Sequence, residues 1–259
     1  MAKAFTRAVS PNISQCELTH LQRQPICAET AQRQHRAYEQ ALATAGVEVI
    51  RLAELPEQPD AVFVEDTAIL LGDHAVITRP GVASRATEAQ STAAGLDGRF
   101  ELHCIDSGFL DGGDVLRIGR RLYVGLSSRT DEAGIAALAA VASPLGYEVL
   151  QAELRDCLHL KTGATLAGID SSGNAVLLYS ERSVDPGQFA GVEPLAVDEL
   201  EPAAANCLRA GSSLILPAGS PRTAQALRDR GFDVVEVDVS ELQKAEAGVT
   251  CMSLIDERP

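Results

Sequence analysis

The feature that most constrains the fold is a repeat of hairpin-like segments. Four segments read as two apolar strands joined by a short Gly-containing turn, and a fifth, "CMSLI", ends with the chain. The N-terminal segment 3–9, "KAFTRAV", is strand-like and could supply the strand that the fifth lacks. The segments start 44 to 48 residues apart, at Asp66, Asp114, Thr162, Asn206 and Cys251.

Helical patterns lie between these hairpins. Residues 28–46, 130–146 and 220–231 have apolar residues at helical spacing or helix-ending glycines, and strand-like runs follow at 47–52 and 232–239. One ββαβ unit about every 45 residues is typical of radial repetition. We therefore predict an α/β fold, a five-bladed propeller of ββαβ repeats that forms one domain over residues 1–259. Spacing alone leaves an ordinary α/β domain as the alternative.

A ring of such units would place the start of each hairpin near a central channel. The five starting residues would then lie around one axis, although they are far apart in the chain. This arrangement would bring carboxylates and a cysteine together.

Composition limits the classes of partner that the protein could bind. The formal net charge is −14 and the pI is about 4.8, whereas binding to nucleic acid requires clustered Lys and Arg. An acidic field could instead concentrate a cationic ligand. The N-terminus has no apolar run typical of a signal peptide, and no stretch of about 18 apolar residues predicts a membrane span. We expect a cytoplasmic protein with no nucleic-acid or membrane partner.

Two adjacent carboxylates interrupt an apolar run. Residues 61–71 read "AVFVEDTAILL", with Glu65 and Asp66 in the middle. A buried carboxylate is costly unless a cation or hydrogen-bond donors meet it. The sequence therefore predicts a positively charged group that faces these two residues.

Three further motifs could carry chemistry. Cys251 in "GVTCMSLI" precedes an apolar strand, His159 lies between two leucines in "LHL", and "LDGGDV" places Asp111 and Asp114 around two glycines. Taken singly, Cys251 is more typical of a packed core thiol, His159 of a core imidazole, and "LDGGDV" of a tight turn before a strand. The six cysteines form no CxxC pair, so small buried side chains are the default for each of them.

Taken together, these stretches resemble the dimethylarginine dimethylaminohydrolases of the guanidine-modifying pentein superfamily. The resemblance covers nearly the whole chain. Its motifs occur in the family's order and at about its spacing, and they are "QRQHRAY", "PDAVFVEDTA", "ITRPGVASR", "LDGGDVL", "YVGLSSRT", "LHLKT", "AANCL" and "VSELQKAEAGVTCMSLI". The family fold is a five-bladed α/β propeller with its site on the axis, which agrees with the repeat.

The resemblance also implies roles for individual residues. The catalytic set would be Cys251 as nucleophile, His159 as general acid and base, and Asp111 as the carboxylate that partners the histidine and substrate. The family often has Glu at this last position, so Asp111 is a shorter reach. The substrate-binding set would be Asp66 with Glu65 and Asp60 for the guanidinium, Arg85 and Arg129 for the α-carboxylate, and the main-chain carbonyls of Leu18 and Ala245 for the α-amine.

The chemistry explains these residue types. Carboxylates accept planar, charge-assisted hydrogen bonds from a guanidinium and fix its central carbon. A thiolate can then attack that carbon, and the bound cation favours the thiolate. His159 would protonate the departing amine, leave a covalent thiouronium, and then activate water to release a ureido product. The substrate would be a methylated arginine and the products citrulline and a methylamine, with no metal or cofactor required.

Other activities stay open at this point. An arginine deiminase acting on unmethylated arginine is the nearest, although those enzymes usually carry a helical insertion for which 259 residues leave no room. Agmatine deiminase would give Arg85 and Arg129 nothing to bind, and an amidinotransferase is typically longer. A non-catalytic propeller, as in the ribosomal anti-association factors, would lack the Cys–His–carboxylate set.

We also expect a lid around residues 16–27, and a homodimer is one option.

Overall fold

The computed structural model describes residues 1–258. Each unit of structure is a small sheet with a helix or a turn packed beside it. The fifteen strands are β1 (Lys3–Thr6), β2 (Glu48–Arg51), β3 (Ala68–Leu71), β4 (His74–Ile77), β5 (Glu101–Cys104), β6 (Val115–Ile118), β7 (Arg121–Gly125), β8 (Glu148–Ala152), β9 (Ala164–Ile169), β10 (Ala175–Tyr179), β11 (Glu193–Ala196), β12 (Leu208–Ala210), β13 (Ser213–Pro217), β14 (Val234–Val237) and β15 (Leu254–Asp256). The six helices are α1 (Ala28–Thr44), α2 (Ala86–Leu96), α3 (Glu132–Ala142), α4 (Leu160–Gly163), α5 (Pro221–Asp229) and α6 (Ser240–Gln243).

The strands form five three-stranded sheets, the blades of a propeller. In each blade an antiparallel pair is extended by a third strand that runs parallel to the middle one. The first blade closes the ring, because β1 from the N-terminus pairs with β15 from the C-terminus, Ala4 opposite Ile255. The predicted five-bladed architecture is confirmed, including the N-terminal strand that completes the last repeat.

Helices connect the middle and outer strands of four blades. Those predicted over 28–46, 130–146 and 220–231 are confirmed as α1, α3 and α5. The prediction of one helix per unit is wrong for the fourth blade, where a 3₁₀ turn at Pro186–Gln188 is the only helical element between β10 and β11. The Asp-Pro-Gly sequence at 185–187 favours a turn over a helix there.

Helix α2 in the second blade is not among the predicted helices. Its sequence, "ATEAQSTAAGL", is mostly small and polar, so apolar periodicity does not reveal it. It nevertheless buries Ala89 and Leu96 against Ala75 and Ile77 of β4.

On the inner side of the ring, a short helical turn precedes the first strand of each of four hairpins. These turns are the 3₁₀ turns Val64–Thr67, Gly112–Asp114 and Pro202–Ala205 and helix α4. The first two pack so closely that a Cβ on Gly112 would lie 2.1 Å from the main-chain oxygen of Glu65. The fifth hairpin start, Cys251, lies in a turn before β15 and its main-chain oxygen accepts a hydrogen bond from the Glu65 N–H. The predicted convergence of the hairpin starts is therefore observed.

Asn206 ties three of these turns together. Its buried side chain donates to the main-chain oxygen of Lys161 and to the Thr250 hydroxyl, both at 2.9 Å, and accepts from the Thr250 N–H at 3.0 Å. One amide thus joins the segments that precede β9, β12 and β15, the first strands of three neighbouring hairpins.

No helix within residues 1–258 is both long enough and apolar enough to cross a lipid bilayer.

Replacing Asn206 by Ala should destabilise the ring, because it leaves the Thr250 N–H buried without an acceptor. We expect the free energy of unfolding, measured by urea denaturation, to fall by about 1–3 kcal/mol. Asn174→Ala, in an exposed turn, is the matched control and should stay within about 0.5 kcal/mol of the parent. Equal losses for the two variants would show that the amide does not hold the axis together.

Candidate active site

A small cavity lies at the inner ends of the blades, beneath an irregular segment near the N-terminus. Its walls come from six separate parts of the chain. The lining residues are Glu17, Asp60, Phe63, Asp66, Arg85, Arg129, Leu158, His159, Ala245, Glu246, Ala247 and Cys251. Seven of the ten predicted site residues are among them, whereas Leu18, Glu65 and Asp111 lie outside this lining.

Cys251 presents its thiol to the cavity from the turn that precedes β15. The Gly248 N–H donates a hydrogen bond to its Sγ at 3.3 Å. Burial, together with the negative charges of Glu65 and Asp66, raises the pKa of Cys251 to about 12. At neutral pH the resting group is therefore a thiol, and a cation placed near it would favour the thiolate.

The other cysteines are less suited to nucleophilic chemistry at this site. Cys16, Cys157 and Cys207 are buried, as predicted, whereas Cys27 and Cys104 are exposed, so the default of burial is wrong for these two. None of the five lines the cavity.

His159 lies immediately before α4, with its ring buried beside Cys251. Its Nε2 is 3.1 Å from Asp111 Oδ2 and its Nδ1 is 3.8 Å from Asp66 Oδ1. Burial lowers the pKa of His159, but Asp66, Asp114 and Asp111 outweigh it and raise the pKa to about 9. The imidazole is therefore protonated at neutral pH and can donate a proton.

Three residues of the "LDGGDV" motif position His159. Asp111 is fully buried behind the ring and also accepts a hydrogen bond from the Gly81 N–H at 3.0 Å. Gly113 lets the ring approach, because a Cβ there would lie 2.7 Å from His159 Nδ1. Asp114 accepts from the Leu160 N–H at 3.0 Å, next to the histidine in the chain. Asp111 contacts the imidazole itself, and Asp114 fixes the backbone that carries it.

Glu65 faces a cation of the protein itself. Its two oxygens accept hydrogen bonds from Lys161 Nζ and from the Thr250 hydroxyl, each at 2.6 Å. The prediction of a positive partner for this carboxylate is confirmed, but the partner in the structure is Lys161 and not a ligand. Lys161 lies within the "LHLKT" motif, and its type and position gave no separate signal of this contact.

Asp66 and Arg85, predicted at opposite ends of a substrate, touch each other. Arg85 Nη1 donates to Asp66 Oδ2 at 2.6 Å, and Nε and Nη2 donate to Glu88 Oε2 at 2.9 and 2.8 Å. The Arg85 side chain is only 4 % exposed. Glu88 was missed because it lies on α2, the helix that apolar periodicity does not reveal. Arg85 thus places positive charge directly against the acid predicted to bind a guanidinium.

Arg129 is the cation with spare binding capacity. It is buried and lines the cavity, and its Nη2 donates to the Thr19 hydroxyl at 2.9 Å. Within residues 1–258, no carboxylate lies within 4.0 Å of its guanidinium. A buried guanidinium without an anionic partner favours binding of an anion.

Residues 16–27 cover the cavity without regular secondary structure. This segment, the lid, is tied down by the Asp60 carboxylate, which accepts from the Glu17 N–H at 3.1 Å. This segment thus lies over the cavity, and Leu18 packs against the same core cluster to which Ala245 belongs.

Glu246 is a lid contact that the sequence did not predict. Its carboxylate accepts hydrogen bonds from three successive lid N–H groups, those of Thr19, His20 and Leu21. Its backbone φ of 61° is in the left-handed region, which a non-glycine residue adopts at some cost in strain. No residue pattern distinguishes this acid from its neighbours in "KAEAG", since its role depends on a contact 225 residues away along the chain.

The lid leaves little room beneath it. The cavity measures about 20 Å³, which is enough for roughly one water molecule. A guanidino amino acid is many times larger, so the lid must move before such a ligand enters.

The carboxylates and the imidazole of the site could also ligate a metal ion. One ligand atom from each of Asp66, Asp111 and His159 lies within 4.8 Å of the others, a spacing that could hold a metal ion. Protonation of His159 and the Arg85 contact on Asp66 both oppose this occupant.

Comparisons with known proteins agree with this geometry. The family model described as "N,N dimethylarginine dimethylhydrolase, eukaryotic" matches residues 6–162. An N(G),N(G)-dimethylarginine dimethylaminohydrolase of Streptomyces coelicolor is 37 % identical, with 97 % of this chain and 96 % of the relative covered. The enzyme of that name from Pseudomonas aeruginosa is 36 % identical over 86 % of this chain and 87 % of its own length.

Solved structures show the same similarity. A cysteine-to-serine variant of the Pseudomonas aeruginosa enzyme, complexed with citrulline, has a TM-score of 0.92 at 31 % identity, with 99 % of this chain and 100 % of that chain covered. The N-terminal domain of a cyanobacterial arginine dihydrolase has a TM-score of 0.81 at 21 % identity, covers 98 % of each chain, and supports the fold alone. By sequence and by fold, the chain belongs to the dimethylarginine dimethylaminohydrolase family.

Proposed function

We propose that the protein hydrolyses N-omega-methylated arginines, asymmetric dimethylarginine and monomethylarginine, to citrulline and a methylamine. The observation that carries the proposal is the distribution of groups in one cavity. Cys251, His159 and Asp66 line the same cavity as Arg129, a buried cation free to take an anion. A methylated arginine has a cation at one end and a carboxylate at the other, so it complements both. A single catalytic domain over residues 1–259 supplies every residue of this site.

The reaction begins when the guanidinium enters the acidic end. Burial, together with the negative charges of Glu65 and Asp66, holds the pKa of Cys251 high in the free protein, and the positive charge of the guanidinium offsets those two carboxylates. The thiol then loses its proton to solvent and the thiolate attacks the guanidinium carbon. The substrate itself thus generates the nucleophile that attacks it.

His159 then acts twice on the same carbon centre. As the C–N bond to the methylated nitrogen breaks, the imidazolium gives its proton to the leaving amine, and a thiouronium on Cys251 remains. The neutral imidazole then takes a proton from water, whose oxygen attacks the carbon. As the C–S bond breaks, the remaining hydroxyl proton passes to the departing sulfur, so Cys251 returns to its thiol form and the carbon keeps the new C=O bond. The released ureido group is that of citrulline.

Asp111 is a positioning residue in this scheme. It contacts His159 Nε2 from the side away from the cavity and lies outside the cavity wall. Its negative charge is one of those that keep the imidazole protonated at neutral pH. Glu65 acts in the same indirect way, since its oxygens are already engaged by Lys161 and Thr250.

The two arginines contribute differently to substrate recognition. Arg129 takes the α-carboxylate, while the main-chain carbonyls of Leu18 and Ala245 take the α-amine. Arg85 orients Asp66 through the 2.6 Å contact between them, and it reaches the α-carboxylate only if that contact loosens. A substitution of Arg85 would therefore affect both ends of the site.

The proposal is tested by product analysis with asymmetric dimethylarginine, monomethylarginine, arginine and agmatine in parallel. We expect citrulline with dimethylamine or methylamine from the first two, and no turnover in Cys251→Ser, because a hydroxyl is too weak an acid to ionise here. Cys157→Ser removes the neighbouring buried thiol and should keep activity. Faster turnover of arginine than of either methylated substrate would favour the deiminase alternative. Full activity in folded Cys251→Ser would exclude this nucleophile.

The pH dependence of kcat/KM should report the loss of the proton from His159. The acid form is required for amine release, so activity should fall as the pH rises through about 9, the pKa of this group. Asp111→Asn removes a negative charge that raises this pKa, so the alkaline limb should move to lower pH. Asp106→Asn, at an exposed position, is the control and should leave the limb in place. An unshifted limb in Asp111→Asn would show that Asp111 does not act through the imidazole.

Arg129→Ala should penalise substrates that carry an α-carboxylate. Hydrogen bonds to charged groups are worth roughly 1.5–3 kcal/mol each, so we expect kcat/KM for methylated arginine to fall about 10- to 150-fold. The decarboxylated analogue of the substrate should lose little, and comparing the two separates carboxylate binding from lid disruption through Thr19. Arg79→Ala changes an exposed arginine outside the cavity and should alter neither value. An equal loss for both substrates would assign Arg129 a structural role.

A further inference from the structure

Three side chains that commonly ligate metals meet on one face of the second blade, far along the hairpin from the catalytic end. They are His74 at the start of β4 and Glu101 and His103 on β5, and none of them lines the catalytic cavity. We propose that they form a binding site for a divalent transition-metal ion of the Zn²⁺ class. This inference does not depend on the proposed activity.

Strand register explains the meeting. β4 and β5 run parallel with His74 opposite Glu101 and Val76 opposite His103. Side chains two residues apart on one strand share a face, so Glu101 and His103 point the same way and His74 lies beside them. The sheet backbone therefore fixes all three attachment points.

The distances between ligand atoms suit a tetrahedral ion. His74 Nδ1 is 3.1 Å from His103 Nε2 and 3.4 Å from Glu101 Oε2, and His103 Nε2 is 3.9 Å from Glu101 Oε1. Bonds of about 2.0–2.1 Å in tetrahedral geometry separate ligand atoms by about 3.3 Å. An ion can thus be held with side-chain movements of less than about 1 Å, and two His with one Glu is a known zinc ligand set.

The two ring nitrogens of the site face each other. His74 Nδ1 and His103 Nε2 are 3.1 Å apart, close enough for both to reach one ion. One metal ion can accept the lone pairs of both nitrogens and add the Glu101 carboxylate. Within residues 1–258, no Lys or Arg nitrogen lies within 4.0 Å of the Glu101 carboxylate, whose ion-pair partners are His74 and His103, so no basic side chain competes for it.

The site is open to solvent yet partly preformed. The side chains of His74 and His103 are 26 % and 27 % exposed, whereas that of Glu101 is 68 % exposed. The half-buried rings are restrained, and the exposed carboxylate leaves an entry path and a fourth position for water. A bound ion would link β5, the outer strand of the blade, to β4.

The experiment measures Zn²⁺ binding by calorimetry in the Cys251→Ser protein, which removes the catalytic thiol as a competing ligand. In that background, His103→Ala and Glu101→Gln should each weaken one Zn²⁺ site by at least about tenfold, the lower range seen when even an outer-shell metal partner is lost. His20→Ala removes an exposed histidine elsewhere and should bind as the parent does.

The NMR signals of the imidazole nitrogens identify the ligand atoms. One equivalent of Zn²⁺ should shift Nδ1 of His74 and Nε2 of His103 and leave the buried His35 unchanged. Unaltered binding in His103→Ala, unmoved signals of these two rings, or no Zn²⁺ binding by the Cys251→Ser protein would each overturn the proposal.

Discussion

The contact between Asp66 and Arg85 is the interaction on which the catalytic site depends. Two buried opposite charges 2.6 Å apart stabilise each other where neither would be tolerated alone. Asp66 also accepts a hydrogen bond from Gly113 N and lies beside His159, while Arg85 extends the network to Glu88 on α2. Turns from two blades and the helix of one of them are thus fixed around a single carboxylate.

Much of the fold could be predicted from spacing, because each blade repeats the same local pattern and ring closure follows from the number of repeats. Helix α2 could not be predicted that way, since its buried face consists of Glu88, Ala89, Thr92 and Leu96, with a single large apolar residue among them. The fourth blade departs from the pattern because Pro186 and Gly187 replace a helix with a turn. The cytoplasmic location and the homodimer stay predictions from sequence.

The site residues divide in the same way. Cys251, His159 and Asp66 begin or precede repeats, so topology alone brings them together. Glu246 and Lys161 were missed because their roles depend on partners that only the folded chain supplies, the lid N–H groups and Glu65. The sequence correctly indicated that Glu65 needs a cation, but burial cannot distinguish a cation of the protein from one of a ligand.

The acidic surroundings of Cys251 oppose its ionisation, which at first runs against its proposed role as nucleophile. Because of this opposition, formation of the thiolate depends on the charge that the ligand brings. A guanidinium brings the positive charge that the thiolate needs, whereas the ureido group of citrulline is neutral and brings none. Once the product forms, the field of Glu65 and Asp66 again favours the thiol, and the carbon of the product is not attacked. In the proposed mechanism, the same carboxylates therefore select a cationic substrate over a neutral product.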